Sequence, residues 1–437
     1  MRNERIRVGF VLTDRHNFKP FKNHPLVELY LMTILEQDFK DKIDISLIDL
    51  RGITPENIIY HIPEKDIYFY SAFSPDILNI SLVIKEIKKI YPSSKHIGGG
   101  IHINLFPQES STIFDVIALG ESEEAIKRII IDYSNSNLKK TYQQQEEIDI
   151  NLYPYPLRKF IPSPAVIQKG LLTREYSDLL GTSVLFSRGC PFNCHFCSNL
   201  IRGKIRFRSP KLITEEIEYL KKEYAIEGVV IKDDNSIPVN RDIAIGYLNA
   251  IKKAGIKWRG QSRANGIQRD IVRLAKEAGC LEIAPGVESV EQKVLEIINK
   301  KLNLNEAKNY LKMLREEGID TKLLLMMGLP GESDNIAKET LDFIKEVKPS
   351  SVLLSFFQPL PGSRMYNHPE EFGIKIDSTI SFDKYATAFG RFDKNELPVS
   401  VFEYEKMTPF GKGKSVEQRV REYIEVQDYL RENNLTF

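Results

Sequence analysis

The feature that most limits the fold of this 437-residue chain is an alternation, present twice, of short apolar runs with segments of helical periodicity. In the first series the apolar runs lie at residues 7–12, 42–50, 66–73, 95–100 and 114–120. Near-continuous apolar strands that alternate with helices are typical of a parallel sheet covered on both faces. We therefore predict an α/β fold that begins with a doubly wound, Rossmann-like domain, whose ligand site lies at the carboxyl ends of its strands.

The second series predicts a different parallel sheet. Its apolar runs lie at residues 182–187, 228–234, 257–263, 281–289, 320–330 and 350–361, and longer helical segments separate them. Ser209 and Pro210 are typical of a helix start, and Gly255 is typical of a helix end. Six strand-helix units within about 180 residues predict a partial (βα)6 barrel of the TIM type, with functional groups at the carboxyl ends of its strands.

Length and composition predict four segments. Residues 1–135 are assigned to the Rossmann-like domain, 136–180 to a linker, 181–365 to the barrel and 366–437 to a small mixed C-terminal extension. The linker prediction follows from a polar stretch that leads into a proline-rich one. We expect the barrel mouth, the linker and the C-terminal extension to supply the contacts with a substrate.

The charge balance argues against two classes of partner. Lys and Arg number 61, and Asp and Glu number 60. A balance so near zero gives no electrostatic reason to expect nucleic acid or a membrane surface as the partner, and a small-molecule substrate is favoured instead. The apolar run at residues 8–12 is too short for a signal segment or a membrane span. We therefore expect a cytoplasmic protein.

Three of the four cysteines, Cys190, Cys194 and Cys197, lie within eight residues, directly after the first barrel strand. The fourth, Cys280, is distant, so the cysteines do not form the distributed pairs of a disulfide framework. Thiolates are the usual ligands of iron–sulfur clusters, and three of them leave one iron of a [4Fe–4S] cluster open. The alternative is a structural zinc site with His195 or Cys280 as fourth ligand. We expect His195 to pack beside the cluster and Cys280 to act as a small buried apolar side chain.

The segment "CPFNCHFC", residues 190–197, resembles the cysteine loop of the radical S-adenosylmethionine (SAM) enzymes, including the aromatic Phe196 before the third cysteine. In that superfamily SAM chelates the open iron, and its reductive cleavage yields methionine and a 5′-deoxyadenosyl radical. Six segments between Ser183 and Arg364 also resemble, in order, the cobalamin-dependent branch of the superfamily. One of them, "GLPGE" at 328–332, is either a backbone contact with the ligand or a plain strand-to-helix turn. The resemblance implies three cofactors: a [4Fe–4S] cluster, SAM and cobalamin.

The resemblance also implies contacts with SAM at the ends of the barrel strands. Asp233 and Asp234 would accept hydrogen bonds from its ammonium group. Arg263 would meet its carboxylate, and the segment that contains Gly286 and Glu288 would bind the ribose hydroxyls. The alternatives are a solvated turn for the two aspartates and an internal ion pair between Arg263 and Glu288.

Glycine-rich turns in the first domain resemble those of the cobalamin-binding domain in the same branch. The residues concerned are Gly98, Gly99, His102, Gly120 and Glu121. Glycines at strand ends would let a broad corrin lie against the carboxyl edge of the sheet. Domains that bind cobalt through histidine carry Asp-x-His-x-x-Gly, and here Asp14 and His16 fit this pattern whereas Lys19 replaces its glycine. His16 and His24 are candidate cobalt ligands, and the alternative is that no histidine binds cobalt.

The function implied by the resemblance is that of a cobalamin-dependent radical SAM methyltransferase. It would methylate an unactivated carbon of a small molecule or natural-product intermediate, using a 5′-deoxyadenosyl radical and methylcobalamin, with a flavodoxin- or ferredoxin-type electron donor. One alternative is a cyclase, ring-contraction or oxidation enzyme that uses the same cofactors without methyl transfer. An alternative of a different class is a non-catalytic cobalamin sensor.

Overall fold

The computed structural model describes residues 5–13, 24–144, 146–198, 200, 201, 203–389 and 397–436. The chain divides into two compact units, Met1–Val166 and Ile167–Phe437. The α/β fold class is confirmed, because each unit contains a six-stranded parallel sheet with helices. No helix among the described residues combines the length and the apolar composition that a membrane crossing requires.

The first unit contains the doubly wound sheet. Its strands are β1 Ile6–Leu12, β2 Ile43–Asp49, β3 Ile67–Ser71, β4 Lys95–Gly99, β5 Val116–Leu119 and β6 Thr141–Gln143. Its helices are α1 Leu26–Phe39, α2 Ile77–Ile90, α3 Ile101–Leu105, α4 Pro107–Ile113, α5 Glu123–Ser134 and α6 Ser163–Val166, with short 3₁₀ helices at Pro55–Tyr60, Ser74–Asp76 and Ile150–Leu152. The five predicted strands correspond to β1 to β5.

The order of strands in this sheet is β2-β1-β3-β4-β5-β6, and every pair is parallel. The direction of winding reverses between β1 and β3, and open α/β sheets bind ligands at the carboxyl side of such a reversal. The loop after β1, which carries Asp14, His16 and Lys19, lies outside the described residues. The predicted cobalt ligand His16 therefore stays a prediction.

The predicted linker is not an open connection. Its residues Thr141–Gln143 add strand β6 to the first sheet, so this sheet continues past the predicted boundary at residue 135. Farther on, the Tyr153 hydroxyl donates to Glu124 Oε1 at 2.6 Å, and the Leu157 amide donates to Thr33 Oγ1 at 2.9 Å. The proline-rich stretch is thus attached to helices of the first unit.

The second unit contains the partial barrel. Its main strands are β7 Gly181–Val184, β10 Gly228–Ile231, β11 Lys257–Arg263, β12 Cys280–Glu288, β13 Asp320–Met327 and β14 Ser351–Phe356. Six shorter strands form three antiparallel pairs: β8 Ser187–Arg188 with β9 Arg206–Phe207, β15 Ile374–Ile376 with β16 Phe402–Tyr404, and β17 Met407–Thr408 with β18 Gly411–Lys412. Its helices are α7 Pro210–Tyr224, α8 Arg241–Ala254, α9 Arg269–Glu277, α10 Gln292–Ile297, α11 Leu304–Glu316, α12 Ile336–Val347, α13 Arg364–Asn367 and α14 Val416–Glu432, with 3₁₀ helices at Pro369–Phe372 and Phe382–Phe389.

The six main strands follow one another in chain order, β7-β10-β11-β12-β13-β14, and all are parallel. They correspond to the six predicted barrel strands. Ser209 caps α7 by accepting a hydrogen bond from Leu212 N, and Gly255 ends α8 in the left-handed conformation, as the sequence predicts. Trp258 of β11 is fully buried in the core between sheet and helices. All carboxyl ends of the strands therefore meet at one edge.

The last helix of the barrel comes from the C-terminal segment. Helix α14 packs against α12 and against β13 and β14, and Thr436 pairs in parallel with Val352 of β14. It occupies the position of the sixth barrel helix, and residues 357–415 form an insertion between β14 and this helix. The predicted boundary at residue 365 therefore cuts through the last strand-helix unit. The sequence does not show that α14 belongs to the barrel, because the insertion separates this helix from strand β14.

Candidate active site

The three clustered cysteines lie between the two strands of the hairpin β8–β9, at the carboxyl edge of the barrel. The loop is closed by hydrogen bonds from Cys190 N to Ile201 O at 3.0 Å and from Gly203 N to Cys190 O at 2.9 Å. A turn joins the other two cysteines, since Cys197 N donates to Cys194 O at 3.2 Å. Cys194 is buried, whereas Cys190 and Cys197 are partly exposed. The three thiols thus lie on one short loop whose backbone is held by its own hydrogen bonds.

The donor set of this loop fits an iron–sulfur cluster. Within the described part of the chain, no three cysteine, histidine or carboxylate side chains converge closely enough to hold one metal ion. In a [4Fe–4S] cluster each cysteine binds a separate iron, so its ligands surround a cage. Two of the sulfurs also have nitrogen donors beside them: Asn235 Nδ2 lies 3.6 Å from Cys190 Sγ, and Arg263 Nη1 lies 3.7 Å from Cys194 Sγ. Burial raises the pKa of the Cys190 thiol, and the hydrogen bond from Asn235 opposes that increase.

The two residues considered as fourth zinc ligands have other roles. His195 Nδ1 lies 2.9 Å from Ile297 O, and the His195 ring packs edge-on against Phe372. Cys280 lies at the start of β12, at the amino end of the barrel, and is 1% exposed. Burial raises the pKa of the Cys280 thiol well above its usual value. His195 therefore packs and hydrogen-bonds beside the loop, and Cys280 is a buried apolar side chain.

The two adjacent aspartates differ sharply. Asp233 is fully buried, and its Oδ1 accepts hydrogen bonds from Phe186 N at 2.7 Å and Ser187 N at 3.0 Å. Its Oδ2 accepts from the Tyr247 hydroxyl at 2.9 Å. Burial raises the pKa of Asp233 to about 6. This geometry does not support the predicted contact between Asp233 and SAM, because Oδ1 already holds the chain that leads to the cysteine loop and Oδ2 already holds Tyr247 of α8. Asp234, the next residue, is exposed.

Arg263, at the end of β11, lies against the cysteine loop. Its guanidinium group stacks on the Phe192 ring, 3.7 Å from the ring centroid. It also donates to Lys300 O and to Asn265 Oδ1, the latter at 3.2 Å. Arg263 is only 5% exposed. Arg263 therefore lies at the carboxyl edge of the barrel, as predicted, but most of its N–H groups already donate to other residues of the chain.

Glu288, at the end of β12, forms its ion pair with Lys300, at 2.8 Å between Oε1 and Nζ. The alternative of an ion pair between Arg263 and Glu288 is therefore wrong. A β-carbon at Gly286 would lie 2.5 Å from Glu288 Oε1 and 3.0 Å from Lys300 Nζ, so glycine at this position lets the pair form. The Lys300 Nζ also lies 5.9 Å from the centroid of the partly buried Phe196 ring.

Sequence reasoning missed the segment that supports this site, residues 297–301. His195 N donates to Ile298 O at 2.9 Å, and Asn299 Nδ2 donates to Asn193 O at 2.7 Å. Asn299 and Lys301 both have positive φ angles, of 52° and 49°. Such conformations are sparsely populated and occur often at functional sites. The only signal in the sequence is an asparagine after a helix, which also occurs at many ordinary helix ends.

The "GLPGE" turn after β13 is held by other parts of the second unit. Glu332 is buried and accepts hydrogen bonds from Gly328 N and Leu329 N, both at 3.0 Å. The Tyr404 hydroxyl donates to Gly328 O at 2.9 Å, and Lys414 Nζ donates to Ser333 O at 2.7 Å. The structure thus favours the plain strand-to-helix turn over a ligand contact. Burial raises the pKa of Glu332 to about 8.

The predicted cobalamin contacts in the first unit also divide into two groups. His102 is fully buried, with Nδ1 3.1 Å from Ser74 Oγ, and burial lowers the pKa of its imidazole to about 4. A β-carbon at Gly98 would lie 2.8 Å from the Phe114 ring, and one at Gly120 would lie 2.5 Å from Gln144 O. Neighbours in the chain therefore account for His102 and Gly98. At position 120 they account for the choice of glycine, whose backbone stays exposed. At Gly99 the nearest atom to such a carbon is Ser122 Oγ at 3.6 Å.

Backbone is accessible along the remaining edge of the first sheet. The backbone is partly exposed at Gly99 and exposed at Gly120, at the carboxyl ends of β4 and β5. Glu121 is partly exposed, and its Oε2 accepts a hydrogen bond from Ile148 N at 3.4 Å. His24 is buried, and its Nε2 lies 3.0 Å from Val166 O, so this nitrogen is engaged inside the first unit. The described part of this edge can thus accept a corrin through backbone surface.

Comparison with known proteins gives a family for the barrel. Residues 184–344 match the sequence model of the radical SAM superfamily. An uncharacterised methyltransferase of Pyrococcus horikoshii is 26% identical over 388 residues, which cover 83% of this chain and 82% of the relative. An anaerobic magnesium-protoporphyrin IX monomethyl ester cyclase of Cereibacter sphaeroides is 26% identical over 69% of this chain and 53% of its own. The bacteriochlorophyllide d C-8(2)-methyltransferase of Chlorobaculum tepidum is 26% identical over 63% of this chain and 62% of its own.

Solved structures agree on the fold. The radical SAM methyltransferase TsrM of Kitasatospora setae, solved with cobalamin and a [4Fe–4S] cluster, superposes with a TM-score of 0.71 at 13% identity, over 97% of this chain and 89% of its own. The cobalamin-dependent radical SAM enzyme OxsB superposes with a TM-score of 0.64 at 18% identity, over 85% of this chain and 56% of its own. Both superpositions indicate a shared fold.

Proposed function

We propose that this chain is a cobalamin-dependent radical SAM methyltransferase that acts on an unactivated carbon of a small molecule. Its residues 184–344 match the sequence model of the radical SAM superfamily. The observation that carries the proposal is the loop of Cys190, Cys194 and Cys197 at the carboxyl edge of a barrel. A second parallel sheet with an accessible glycine edge precedes it. The names of the relatives from Pyrococcus horikoshii and Chlorobaculum tepidum support methyl transfer.

The cluster, SAM and cobalamin together supply one-electron reduction, hydrogen abstraction and a transferable methyl group. The three cysteines hold the cluster at an edge where a small molecule can approach it. Asp234 is the exposed carboxylate that can meet the SAM ammonium group, and Arg263 can meet its carboxylate. Glu288 has two oxygens, so Oε1 can keep its contact with Lys300 while Oε2 accepts from a ribose hydroxyl. Burial of Arg263 and Lys300 strengthens these contacts because water is excluded.

The first sheet binds cobalamin in this proposal. Gly99 and Gly120 leave backbone surface at the carboxyl edge, against which a corrin can lie. His24 and His102 are engaged inside the first unit, so a cobalt ligand from the described residues is not part of the proposal. A ligand from His16 stays open to test.

The decisive experiment needs no knowledge of the substrate. Protein reconstituted anaerobically with iron, sulfide and hydroxocobalamin is incubated with dithionite and SAM that carries a labelled methyl group. We expect the absorbance of an iron–sulfur cluster and of a corrin, release of 5′-deoxyadenosine, and label in the cobalamin fraction. A protein that takes up neither cluster nor corrin contradicts the proposal. A cobalamin sensor would bind corrin and release no 5′-deoxyadenosine.

A cyclase is the second candidate, because relatives named as magnesium-protoporphyrin IX monomethyl ester cyclases align with more than two thirds of this chain. A cyclase would release 5′-deoxyadenosine but leave methyl label out of its product. We further propose a flavodoxin- or ferredoxin-type donor, a cytoplasmic location and no nucleic-acid partner, the last because basic and acidic residues number 61 and 60. Reduction of the cluster by purified flavodoxin in place of dithionite tests the donor.

A further inference from the structure

Two of the three cysteine sulfurs are approached by nitrogen donors from neighbouring barrel strands. Asn235 follows β10, and its Nδ2 lies 3.6 Å from Cys190 Sγ. Arg263 ends β11, and its Nη1 lies 3.7 Å from Cys194 Sγ. Both donors are almost completely buried, with 3% and 5% of their surface exposed. Bonds from such donors to sulfur are therefore shielded from competition with water.

The Asn235 amide is fixed from both sides. On one side, Asp233 anchors the turn to Phe186 N and Ser187 N. On the other, Ser236 N donates to Gln261 O at 2.7 Å, and Gln261 N donates to Ser236 Oγ at 3.2 Å. The turn thus has little freedom to withdraw the amide from Cys190. The sequence gives no reason to expect a contact between Asn235 and Cys190, so this contact is an addition from the structure.

The Arg263 guanidinium is fixed as firmly. It stacks on Phe192 of the cysteine loop at 3.7 Å from the ring centroid. It also donates to Lys300 O and to Asn265 Oδ1. These contacts hold one Nη atom toward Cys194 while the planar group keeps the same orientation. The cation therefore lies beside a cluster ligand whether or not it also meets SAM.

We propose that Asn235 and Arg263 tune the cluster by donating hydrogen bonds to the thiolates of Cys190 and Cys194, and that both bonds raise its reduction potential. Reduction adds one electron from an external reductant and forms or breaks no bond to carbon. The added negative charge spreads onto the thiolate sulfurs, so N–H donors and a nearby cation stabilise the reduced state more than the oxidised state. In this role both side chains act through the cysteine sulfurs, as positioning residues. This inference rests on the proposed function, because it requires the cluster on the cysteine loop.

The test measures the midpoint potential of the reconstituted cluster by EPR-monitored redox titration, without SAM or substrate. In Arg263→Met, which keeps a long side chain without donors, we expect the equilibrium constant for reduction to fall about tenfold, equal to a lowering of about 59 mV for a one-electron couple. Asn235→Leu should give a smaller fall in the same direction. Gln261→Leu is the matched control, because Gln261 Nε2 donates to Asp233 O rather than to sulfur, and its potential should equal that of the wild type.

Measurement on the wild-type protein keeps the inference testable if a variant fails to load the cluster. With selectively ¹⁵N-labelled arginine, the reduced cluster should show hyperfine coupling to a labelled nitrogen across the bond to Cys194. An unchanged potential in both loaded variants, or the absence of this coupling, overturns the inference while leaving the cluster assignment intact. A wild-type protein that assembles no cluster overturns the proposed function instead.

Discussion

The two sheets of this protein each contain six parallel strands, yet they use their carboxyl edges differently. At the barrel edge, side chains dominate: Asn235, Arg263 and Glu288 each contact sulfur or a partner of opposite charge. At the edge of the first sheet, the accessible surface is backbone at Gly99 and Gly120. A site made of polar and charged side chains can therefore be identified from individual residues. A surface for a large flat ligand is identified instead from positions, here glycines, where no side chain covers the backbone.

The largest effect should come from Cys190→Ala, which removes one cluster ligand. We expect release of 5′-deoxyadenosine to fall below detection, because a cluster held by two thiolates cannot keep its geometry at the barrel edge. Binding of cobalamin should persist, because its proposed site lies in the first unit. Iron content, 5′-deoxyadenosine and a spectrophotometric cobalamin titration measure the three quantities.

Cys280→Ala is the matched control. Cys280 is buried at the opposite end of the barrel, so its loss should cost about 1 kcal/mol of stability and leave iron content unchanged. A strong loss of iron in Cys280→Ala would contradict the assignment of three ligands and return Cys280 to the ligand set.

The next largest effect should separate Asp233 from Asp234. Asp233→Ala leaves two amides and the Tyr247 hydroxyl buried without an acceptor, which should lower the free energy of unfolding by about 3–5 kcal/mol. Urea unfolding followed by the fluorescence of Trp258, the single tryptophan, reports on the barrel.

Asp234→Ala should instead change the stability of the barrel by less than about 0.5 kcal/mol, because Asp234 is exposed. Its effect should be on the affinity for SAM, measured by equilibrium dialysis with the loaded enzyme. If Asp234→Ala destabilises the barrel as much as Asp233→Ala, the division between an anchoring and a binding aspartate is wrong.

The same comparison explains how much of the molecule could be predicted from sequence. All six barrel strands and the first five strands of the other sheet follow from apolar periodicity, because buried apolar strands that alternate with helices leave a clear pattern. Strand β6 has three residues, Thr141–Gln143, and lies in a polar stretch, so periodicity had nothing to detect. The sixth barrel helix was placed in the wrong segment because the insertion 357–415 separates it from its strand.

The site divides in the same way. The cysteine motif and Arg263 could be identified because residue type, spacing and position at a strand end coincide. The contact of Lys300 with Glu288 spans 12 residues and that of Asn235 with Cys190 spans 45, and both depend on how loops at the strand ends fold, which residue type and spacing do not specify. Gly98 was predicted as a ligand contact, whereas its burial and its steric proximity to Phe114 account for it. A glycine in a sequence indicates that another group lies close to its backbone, but it does not indicate whether that group is a ligand or another part of the chain.

Acid and alkali should also affect the two units in opposite directions. In the first unit, burial lowers the pKa values of His96 and His102 to about 4, below the value of about 6.5 expected after unfolding. The unfolded unit then binds more protons, so its stability falls as pH falls from about 6.5 through 4, by about 1.4 kcal/mol per histidine and pH unit. Hydrogen exchange of peptides from this unit measures the change.

In the second unit, burial raises the pKa of Glu332 from 4.5 to about 8. The folded unit then binds more protons, so its stability falls as pH rises from about 4.5 through 8. Trp258 fluorescence in urea should follow this decline, and Glu332→Gln should flatten it. Parallel pH dependence of the two units, or an unaltered slope in Glu332→Gln, would contradict the opposite signs.

The smallest effect should distinguish two adjacent glycines at the edge of the first sheet. Gly98→Ala places a methyl group against the Phe114 ring, where a β-carbon would lie 2.8 Å from ring atoms, and should cost about 1–3 kcal/mol of stability. Gly99→Ala meets its nearest atom, Ser122 Oγ, at 3.6 Å and should cost less than about 0.5 kcal/mol. Because its methyl group would stand on the surface proposed for the corrin, Gly99→Ala should still weaken cobalamin binding in a spectrophotometric titration. Equal affinity for cobalamin in the wild type and Gly99→Ala would show that the corrin does not bind at this edge.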